Sequence, residues 1–449
     1  MKKSVTFLLT TAILLSIFSP LSVFASYNDS VEIDSDVAYV VCLDNDEVIF
    51  DKNYDKQHAP ASLTKIMTAL VAIEECDDLT KQITVSQNVI NTIAGTDSSN
   101  AGLKAGEVLT MENLLYCLMV ESANDAAIAI AENIASTEKK FVKLMNQKAK
   151  ELGCKNTNFK NTHGLDEEGH YTTAEDLYLI TKEALKHPIF EKIVNTTEYN
   201  LPKTNMSEAR KVYSSNLMLN AAYDDYYLSY LQGIKTGTTD NAGRCIVTKS
   251  VNDGYSYLAI VMGGSFEDID ADGVEENGAF IDCKAILKWI YNNIQYKLIA
   301  EADQTICVSE VKYSWKTDFV RIVPAEESYA LVPNSLDTSS VYIELDEEIS
   351  GPLKAPFKKG EIIGTATVYY GGDAIATIDV SPAETARYSF ILHMTTLIKA
   401  AWGSVLGKIL IFLLILLIIA TFILKRLIKM KIVDISEIKA QRRLRKHLK

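Results

Sequence analysis

The sequence is poor in the residues that build disulfide frameworks and metal centres. Its 449 residues include only seven cysteines and six histidines. The cysteines are odd in number and scattered, and no two of them have C-x-x-C spacing, so neither a disulfide framework nor a zinc ribbon is predicted. Glycine and proline are also sparse, and 48% of the residues are hydrophobic. This composition is typical of a packed globular protein and excludes collagen-like or low-complexity chains.

Positive charge is scarce as well. The formal net charge is −13 at pH 7, although the end of the chain is strongly basic. An acidic body repels phosphate backbones, so no nucleic-acid partner is predicted. Nucleic-acid binding by the basic tail is the alternative, but membrane topology and anionic lipid already explain cations at that place.

The start of the chain has the pattern of an export signal. Lys2 and Lys3 precede an apolar run over residues 5–18, and small residues stand three and one positions before a cut after Ala25. The pattern predicts a secretory signal peptide at residues 1–25. An uncleaved N-terminal anchor is the alternative, which the shortness of the apolar run disfavours.

A second apolar run, at residues 405–424, is long enough at about 1.5 Å per residue to cross a bilayer as one helix. Cations follow it immediately, and cationic flanks stay in the cytoplasm. The sequence therefore predicts a single-pass cell-membrane protein with its body outside and a basic cytoplasmic tail at 425–449. Residues 388–404 form the expected juxtamembrane segment, which could lie in the interface, so the lipid bilayer is an expected partner.

Two patterns divide the body between these ends. Residues 26–296 start with a hairpin pattern, continue through helical periodicity and end with strands and a helix, which predicts a mixed α/β domain whose N- and C-terminal strands share one sheet. Residues 297–387 alternate in short apolar stretches between turn residues, which predicts a small all-β domain. In the first domain we expect a hairpin at 37–51, helices at 62–75, 111–134, 138–151, 174–186 and 277–294, and strands at 228–234, 245–250 and 255–262.

Ser62 and Lys65 stand three residues apart at the start of an apolar helical run. A serine hydroxyl is a poor nucleophile until a neighbouring base takes its proton, and a lysine can be that base only if burial or a second cation keeps its amine partly neutral. The spacing puts both residues on one helix face. Taken alone, the pattern also fits a surface pair, because S-x-x-K occurs elsewhere in the chain.

Two further motifs combine hydroxyl, amide and ammonium groups. Ser122 and Asn124 stand where a helical pattern breaks, and alone they fit a polar turn. Residues 235–238, Lys-Thr-Gly-Thr, come at the end of a strand-like run, where a glycine lets a substrate approach the strand edge and the other side chains suit a carboxylate; alone they fit a strand turning into a loop. In this order, S-x-x-K, S-x-N and K-T-G are closely similar to the signature of serine β-lactamases and penicillin-binding proteins.

From about residue 37 to residue 294 the sequence resembles the low-molecular-mass penicillin-binding proteins that are D-alanyl-D-alanine carboxypeptidases (serine peptidase family S11). The resemblance includes the three motifs and the stretches 121–127, 161–166 and 172–177. It implies an α/β fold of the β-lactamase/transpeptidase type, with an antiparallel sheet flanked by helices, plus a small all-β domain and one C-terminal transmembrane helix. The last two parts match that family's layout.

The resemblance also implies a reaction. Ser62 would attack the carbonyl between the two terminal D-alanines of a peptidoglycan stem pentapeptide and form an acyl-enzyme that water hydrolyses, with Lys65 as base and Ser122 passing the proton to the leaving amine. Asn124 would bind the substrate amide, and Lys235 with nearby hydroxyls would hold the terminal carboxylate. The implied catalytic residues are Ser62, Lys65 and Ser122, and the implied substrate-binding residues are Asn124, Lys235, Thr236, Gly237 and Thr238. β-Lactam antibiotics would acylate Ser62, and no cofactor or metal is expected.

Other readings stay open at this point. A D,D-endopeptidase or a β-lactamase could use the same fold, and a catalytically silent wall-binding protein could rely on the β domain. Thr238 stands where some relatives carry histidine, which leaves specificity open, and the lack of a Glu-x-x-Leu-Asn stretch after Ser122 disfavours a β-lactamase. Arg244 could assist with the carboxylate, although a solvated strand residue is the preferred interpretation. His163 with His170 as a zinc site and residues 268–279 as a calcium loop are both disfavoured, because ligands are missing.

Overall fold

The computed structural model describes residues 31–252, 254–268, 273, 275–403 and 405–447. The predicted signal peptide lies outside these residues. The described chain falls into two compact units. The first comprises the residues up to Tyr296 together with Leu331–Leu336, and the second comprises Lys297–Ala330 with the residues from Asp337 onward.

Strands and helices alternate through the first unit, and strands dominate the second until two helices end the chain. The strands are β1 Val37–Cys42, β2 Val48–Lys52, β3 Gln82–Thr84, β4 Val108–Thr110, β5 Glu198–Leu201, β6 Arg210–Tyr213, β7 Leu231–Thr239, β8 Gly243–Asn252, β9 Tyr255–Gly264, β10 Ile294–Ala300, β11 Cys307–Lys312, β12 Phe319–Pro324, β13 Ser328–Pro333, β14 Tyr342–Leu345, β15 Leu353–Lys354, β16 Gly364–Tyr370 and β17 Asp373–Pro382. The helices are α1 Thr64–Glu75, α2 Gln87–Ile93, α3 Met111–Met119, α4 Asn124–Ala135, α5 Glu138–Glu151, α6 Ala174–Ala184, α7 Pro188–Val194, α8 Gly278–Asn293, α9 Phe390–Gly403 and α10 Val405–His447.

The first unit is built on an antiparallel five-stranded sheet in the order β2-β1-β9-β8-β7. The first strand of the unit pairs with β9, with Val37 opposite Met262 and Cys42 opposite Tyr257. The prediction that N- and C-terminal strands share one sheet is therefore confirmed. Strand β7 lies at the open edge, which leaves one of its sides available to a ligand.

Both faces of this sheet are buried, because successive side chains of a strand point to opposite faces. In β1, Val37, Tyr39 and Val41 join the core shared with helices α1, α3, α4, α5 and α6. The intervening Ala38, Val40 and Cys42 pack with α8 on the other side. A strand buried on both faces reads as a continuous apolar run, and β1 has the sequence VAYVVC.

Helix α1 lies in the middle of the first core. Its residues from Thr64 to Ala72 are buried without interruption, which is the pattern of a helix covered on all sides. A short 3₁₀ turn, Ala61–Leu63, leads into it. The buried position of α1 therefore fixes the place of the turn that carries Ser62.

Two elements differ from the sequence expectation. The region with helical periodicity over 111–134 forms two helices, α3 and α4, because the chain turns at Ser122, whose φ is +62°. The strand expected at 228–234 lies further along as β7, so the Lys-Thr-Gly-Thr segment is inside the strand and pairs with β8 from Lys235 opposite Val247 to Thr238 opposite Arg244.

The second unit contains a six-stranded sheet in the order β14-β16-β17-β12-β11-β15. An all-β module followed by an apolar helix was expected, and both are present. Strand β17 pairs with β16 along the whole length of β16. After it come α9 and α10, and Gly407–Ala440 within α10 is long and apolar enough to cross a membrane.

Candidate active site

Ser62 lies in the 3₁₀ turn directly before α1, and the side-chain nitrogen of Lys65 lies next to it. Lys65 Nζ is 2.8 Å from Ser62 Oγ and donates a second hydrogen bond to the carbonyl of His163 at 2.7 Å. The residue before Ser62, Ala61, has φ +47°, a conformation that L-residues rarely adopt. The local i, i+3 spacing thus produces the serine–amine contact that the sequence predicted.

The electrostatic surroundings of Lys65 favour a neutral amine. The side chain is fully buried. Burial, and after it the charge of Lys235, holds the pKa of Lys65 well below its usual range, while Asp125 acts in the opposite direction. Desolvation and a neighbouring cation both disfavour the protonated form. A serine beside an amine of this kind has its base in place.

The loop at residues 161–166 wedges against the Ser62 turn. Gly164 has φ +93°, and a Cβ added there would lie 1.8 Å from the carbonyl oxygen of Ala61. Asn161 and His163 receive backbone N–H donors within the loop, and Asp166 accepts a hydrogen bond from Oγ1 of Thr239, the last residue of β7, at 2.8 Å. The loop therefore contacts the Ser62 turn and the edge strand together.

Ser122 lies in the turn between α3 and α4, and Asn124 begins α4. Both side chains are nearly buried, at 5% and 3% exposure. The next residue, Asp125, accepts backbone hydrogen bonds from Ala101 and Leu103 and so fastens the loop that carries Ser99. The Asn124 N–H also donates to the Ser99 carbonyl at 2.9 Å.

Strand β7 supplies the third motif. Lys235 is buried, and burial lowers its pKa to about 7. The hydroxyl of Thr236 is 2.6 Å from that of Ser215. A Cβ added at Gly237 would come within 3.1 Å of the Ala61 side chain and 3.2 Å of the Ser62 nitrogen. Glycine at this position thus permits the edge strand to approach the Ser62 turn.

These segments converge on one pocket of about 280 Å³. Of the predicted site residues, Ser62, Ser122, Thr236, Gly237 and Thr238 line it. Lys65 lies behind Ser62, within hydrogen-bond distance of its hydroxyl. Lys235 and Asn124 are buried, and neither is among the described residues that line the pocket. Six further residues line the pocket: Ser99, Ser215, Leu217, Arg244, Asn277 and Phe280. Of these, the sequence analysis had considered only Arg244.

Arg244 was interpreted from the sequence as a solvated strand residue, but its side chain is largely shielded from solvent. It stands opposite Thr238 on β8, its guanidinium lies 4.6 Å from the centre of the Phe266 ring, and it approaches the carboxylate of Glu275 at 3.6 Å. Its Nε is buried and has no hydrogen-bond partner in the part of the chain that the structure describes. A half-buried cation at the pocket wall suits an anionic ligand group.

The two metal-site patterns gain no support. Burial lowers the pKa of His163 to about 3 and that of His170 to about 4, and the two rings contact different neighbours, Glu138 and Thr64. Parts of the acidic 268–279 loop lie outside the described residues. Within the described ranges no cluster of three or more metal-ligating side chains occurs.

Comparison with known proteins agrees with this geometry. The model of the D-alanyl-D-alanine carboxypeptidase family (peptidase S11) matches residues 23–265, and that of the C-terminal domain of penicillin-binding protein 5 matches residues 295–387. The D-alanyl-D-alanine carboxypeptidase DacF of Bacillus subtilis is 30% identical over 367 residues, 82% of this chain and 89% of that protein.

Two solved structures share the fold. Penicillin-binding protein 5 from Haemophilus influenzae covers 80% of this chain and 98% of its own, with a TM-score of 0.60 and 24% identity, which supports the fold alone. The Streptomyces K15 DD-transpeptidase covers 58% of this chain and 97% of its own, with a TM-score of 0.52 and 26% identity. With its three motifs around one pocket and both family models matched, the chain belongs to the D-alanyl-D-alanine carboxypeptidase family, peptidase S11.

Proposed function

We propose that this protein is a serine-type D-alanyl-D-alanine carboxypeptidase that removes the terminal D-alanine from peptidoglycan stem pentapeptides. The observation that carries the proposal is the 2.8 Å contact between Ser62 Oγ and the buried amine of Lys65. A nucleophile hydrogen-bonded to a base of depressed pKa is the arrangement that covalent catalysis requires. Family membership supports the choice of substrate.

In the acylation step, Ser62 Oγ attacks the carbonyl carbon of the D-Ala-D-Ala bond and its proton passes to Lys65 Nζ. The C–N bond then breaks as Ser122 donates its hydroxyl proton to the leaving amine of the terminal D-alanine and takes up the proton held by Lys65, which returns to a neutral amine. The backbone N–H groups of Ser62 and Thr238 hold the oxyanion. Loss of one such donor typically costs about 2.7–4 kcal/mol of barrier.

Binding depends on the terminal carboxylate. Burial leaves Lys235 with a pKa of about 7, and an incoming carboxylate favours its charged form. Thr236 and Thr238 supply hydroxyls on the pocket wall, and Arg244 adds a second cation there. Asn124 binds the substrate amide from the start of α4. Water then hydrolyses the ester at Ser62, with Lys65 taking its proton.

β-Lactams share the D-Ala-D-Ala geometry and would acylate the same serine, which provides the test. Labelling of Ser62→Ala with a fluorescent penicillin should be lost. Ser309→Ala is the matched control, because Ser309 and Lys312 form an S-x-x-K pair in the β domain and the variant should label normally. Covalent labelling that persists in Ser62→Ala would refute the role of Ser62.

The reaction itself is tested by product analysis. A stem pentapeptide should yield free D-alanine, and a cross-linked dimer should be cleaved much more slowly. Faster cleavage of the dimer would identify an endopeptidase, and penicillin turnover without peptide cleavage would identify a β-lactamase. Cleavage of neither peptide, together with no turnover of penicillin, would refute a catalytic function and favour a wall-binding role.

We also propose how the chain is placed in the cell. The signal peptide is 1–25, the catalytic domain is 26–296, the β domain is 297–387, the juxtamembrane segment is 388–404, the transmembrane helix is 405–424, and the cytoplasmic tail is 425–449. The apolar part of α10 is compatible with such an anchor. Protease added to intact spheroplasts should digest the body and leave a short C-terminal membrane fragment; protection of the catalytic domain would contradict the sidedness.

A further inference from the structure

A pocket in the second unit borders on the helix that precedes the membrane anchor. It has a volume of about 610 Å³, and Trp315, Lys316, Arg387 and Tyr388 are among the residues that line it. Trp315 is 64% exposed and Tyr388 44% exposed. Exposed indole and phenol rings next to cations are the combination found where proteins meet the membrane–water interface.

The pocket and helix α9 are held together by specific contacts. Tyr388 Oη is 2.7 Å from Nδ1 of His393, and the His393 ring stacks on Tyr313 at a centroid distance of 4.1 Å. The N–H of Ser389 donates to the Tyr313 carbonyl at 2.7 Å. The start of α9 is therefore fixed against the loop that carries Trp315 and Lys316.

Helix α9 exposes apolar side chains along its length. They recur at helical spacing as one broad stripe, and His393 lies at the edge of that stripe. They are Phe390, Ile391, Met394, Leu397, Ile398 and Trp402. The helix ends at Gly403, four residues before the apolar span begins at Gly407, so this stripe can reach a bilayer surface that the span enters.

The two cations that line the pocket, Lys316 and Arg387, favour an anionic ligand. Neither Lys316 nor Arg387 forms a salt bridge with any residue that the structure describes. Arginine and lysine bind phosphate through charge-assisted hydrogen bonds, and basic groups at a membrane surface are attracted to anionic lipid. A pocket of several hundred Å³ has the size of a small-ligand site.

We propose that this pocket binds the phosphate headgroup of an anionic phospholipid, so that the β domain docks on the bilayer beside its own anchor. Lys316 and Arg387 hold the phosphate, Trp315 and Tyr388 lie at the headgroup level, and α9 rests on the surface by its apolar stripe. This inference depends on the proposed membrane anchor and not on the proposed reaction.

The chain contains three tryptophans, Trp289, Trp315 and Trp402, which makes the test direct. Full-length protein is placed in nanodiscs of anionic phosphatidylglycerol or zwitterionic phosphatidylcholine, with brominated acyl chains as fluorescence quenchers. Variants that keep one tryptophan at a time, with phenylalanine at the other two positions, report each place separately. We expect quenching at Trp315 and Trp402 and none at Trp289, which lies on α8 in the first unit.

The cations are tested in the variant that retains only Trp315. Replacing both by alanine, Lys316→Ala with Arg387→Ala, should weaken docking on the anionic surface by roughly 30-fold, from the attraction that each basic residue feels there. The loss appears as lower quenching in phosphatidylglycerol and little change in phosphatidylcholine. Lys139→Ala with Lys140→Ala on α5 removes the same charge elsewhere and is the matched control, and circular dichroism confirms that each variant is folded.

The outcomes separate the proposals. If the full-length protein does not enter the nanodiscs, the membrane anchor itself is refuted. If the protein enters them and neither Trp402 nor Trp315 is quenched, the docking of α9 and of the β domain is wrong. If Trp402 is quenched and Trp315 is not, the docking of the β domain is wrong while the anchor stands. If Trp315 is quenched equally in phosphatidylglycerol and phosphatidylcholine, and equally with and without the two substitutions, the proposal of a phosphate-binding site is wrong.

Discussion

The contact between Gly164 and the residue before the nucleophile allows a sharp test of how the site is assembled. A Cβ at residue 164 would lie 1.8 Å from the Ala61 oxygen, so the Ser62 turn must retreat by about 1 Å in Gly164→Ala. A misplacement of about 1 Å can cost about 10²-fold in rate. Alanine at φ +93° adds a backbone cost of about 1–2 kcal/mol. We therefore expect penicillin acylation to slow about 100-fold.

The matched control is Gly153→Ala. Gly153 has φ +86°, and a Cβ there would meet nothing within 4 Å, so it imposes the same backbone cost without the clash. The assay is the second-order rate of acylation by a fluorescent penicillin, with thermal unfolding of both variants alongside. If Gly164→Ala reacts as fast as Gly153→Ala, the 161–166 loop does not position Ser62, and the assembly described above is wrong.

Three further predictions concern the same unit. Lys65→Arg replaces the neutral amine beside Ser62 by a guanidinium that stays protonated and cannot accept a proton, so acylation should fall by about 10²–10⁴-fold. A normal rate of labelling in a stopped-flow experiment would contradict this prediction. Burial and the charge of Lys235 depress the pKa of Lys65, so the amine loses its proton at an unusually low pH. The acylation rate should therefore stay high near neutral pH and fall only when acid protonates Lys65. A profile in which kcat/KM rises toward acidic pH would exclude Lys65 as the base. Asp125→Asn replaces one carboxylate oxygen, which accepts hydrogen bonds from the N–H groups of Ala101 and Leu103, by an NH₂ group that can only donate. The free energy of unfolding should therefore drop by about 1–3 kcal/mol. An unchanged melting temperature would show that other contacts hold the 99–103 loop.

The parts of the site that follow from local spacing could be predicted. Ser62 and Lys65 are one helical turn apart, so their contact is a property of the segment itself. The break of helical periodicity near Ser122 pointed to a turn, although not to its left-handed conformation. The extension of β7 through Lys235 was missed, because the partner that makes it a strand is β8 and pairing is not visible in the segment alone.

Contacts between distant segments could not be predicted from the same patterns. The carbonyl of His163 fixes Lys65 from 98 positions along the chain, and no side-chain motif marks a backbone acceptor. Ser99 and Ser215 line the pocket from loops without regular periodicity. Asp125 reads as one more polar residue at a helix start, whereas its carboxylate is buried and receives backbone donors from another loop. Such roles depend on tertiary closure and not on local propensity.

The nucleophile turn shows what that closure requires. Ala61 is held at φ +47°, and a non-glycine residue keeps such a conformation only where its surroundings impose it. Here Gly164 presses on its carbonyl side, and Gly237 approaches its side chain and the Ser62 nitrogen. A methyl group at 164 would clash with the Ala61 carbonyl, and one at 237 would force its neighbours back by a few tenths of an ångström, so the absence of side chains at these two positions helps to place Ser62. The geometry of the site is therefore encoded by two glycines far apart in sequence as well as by the polar side chains of the three motifs.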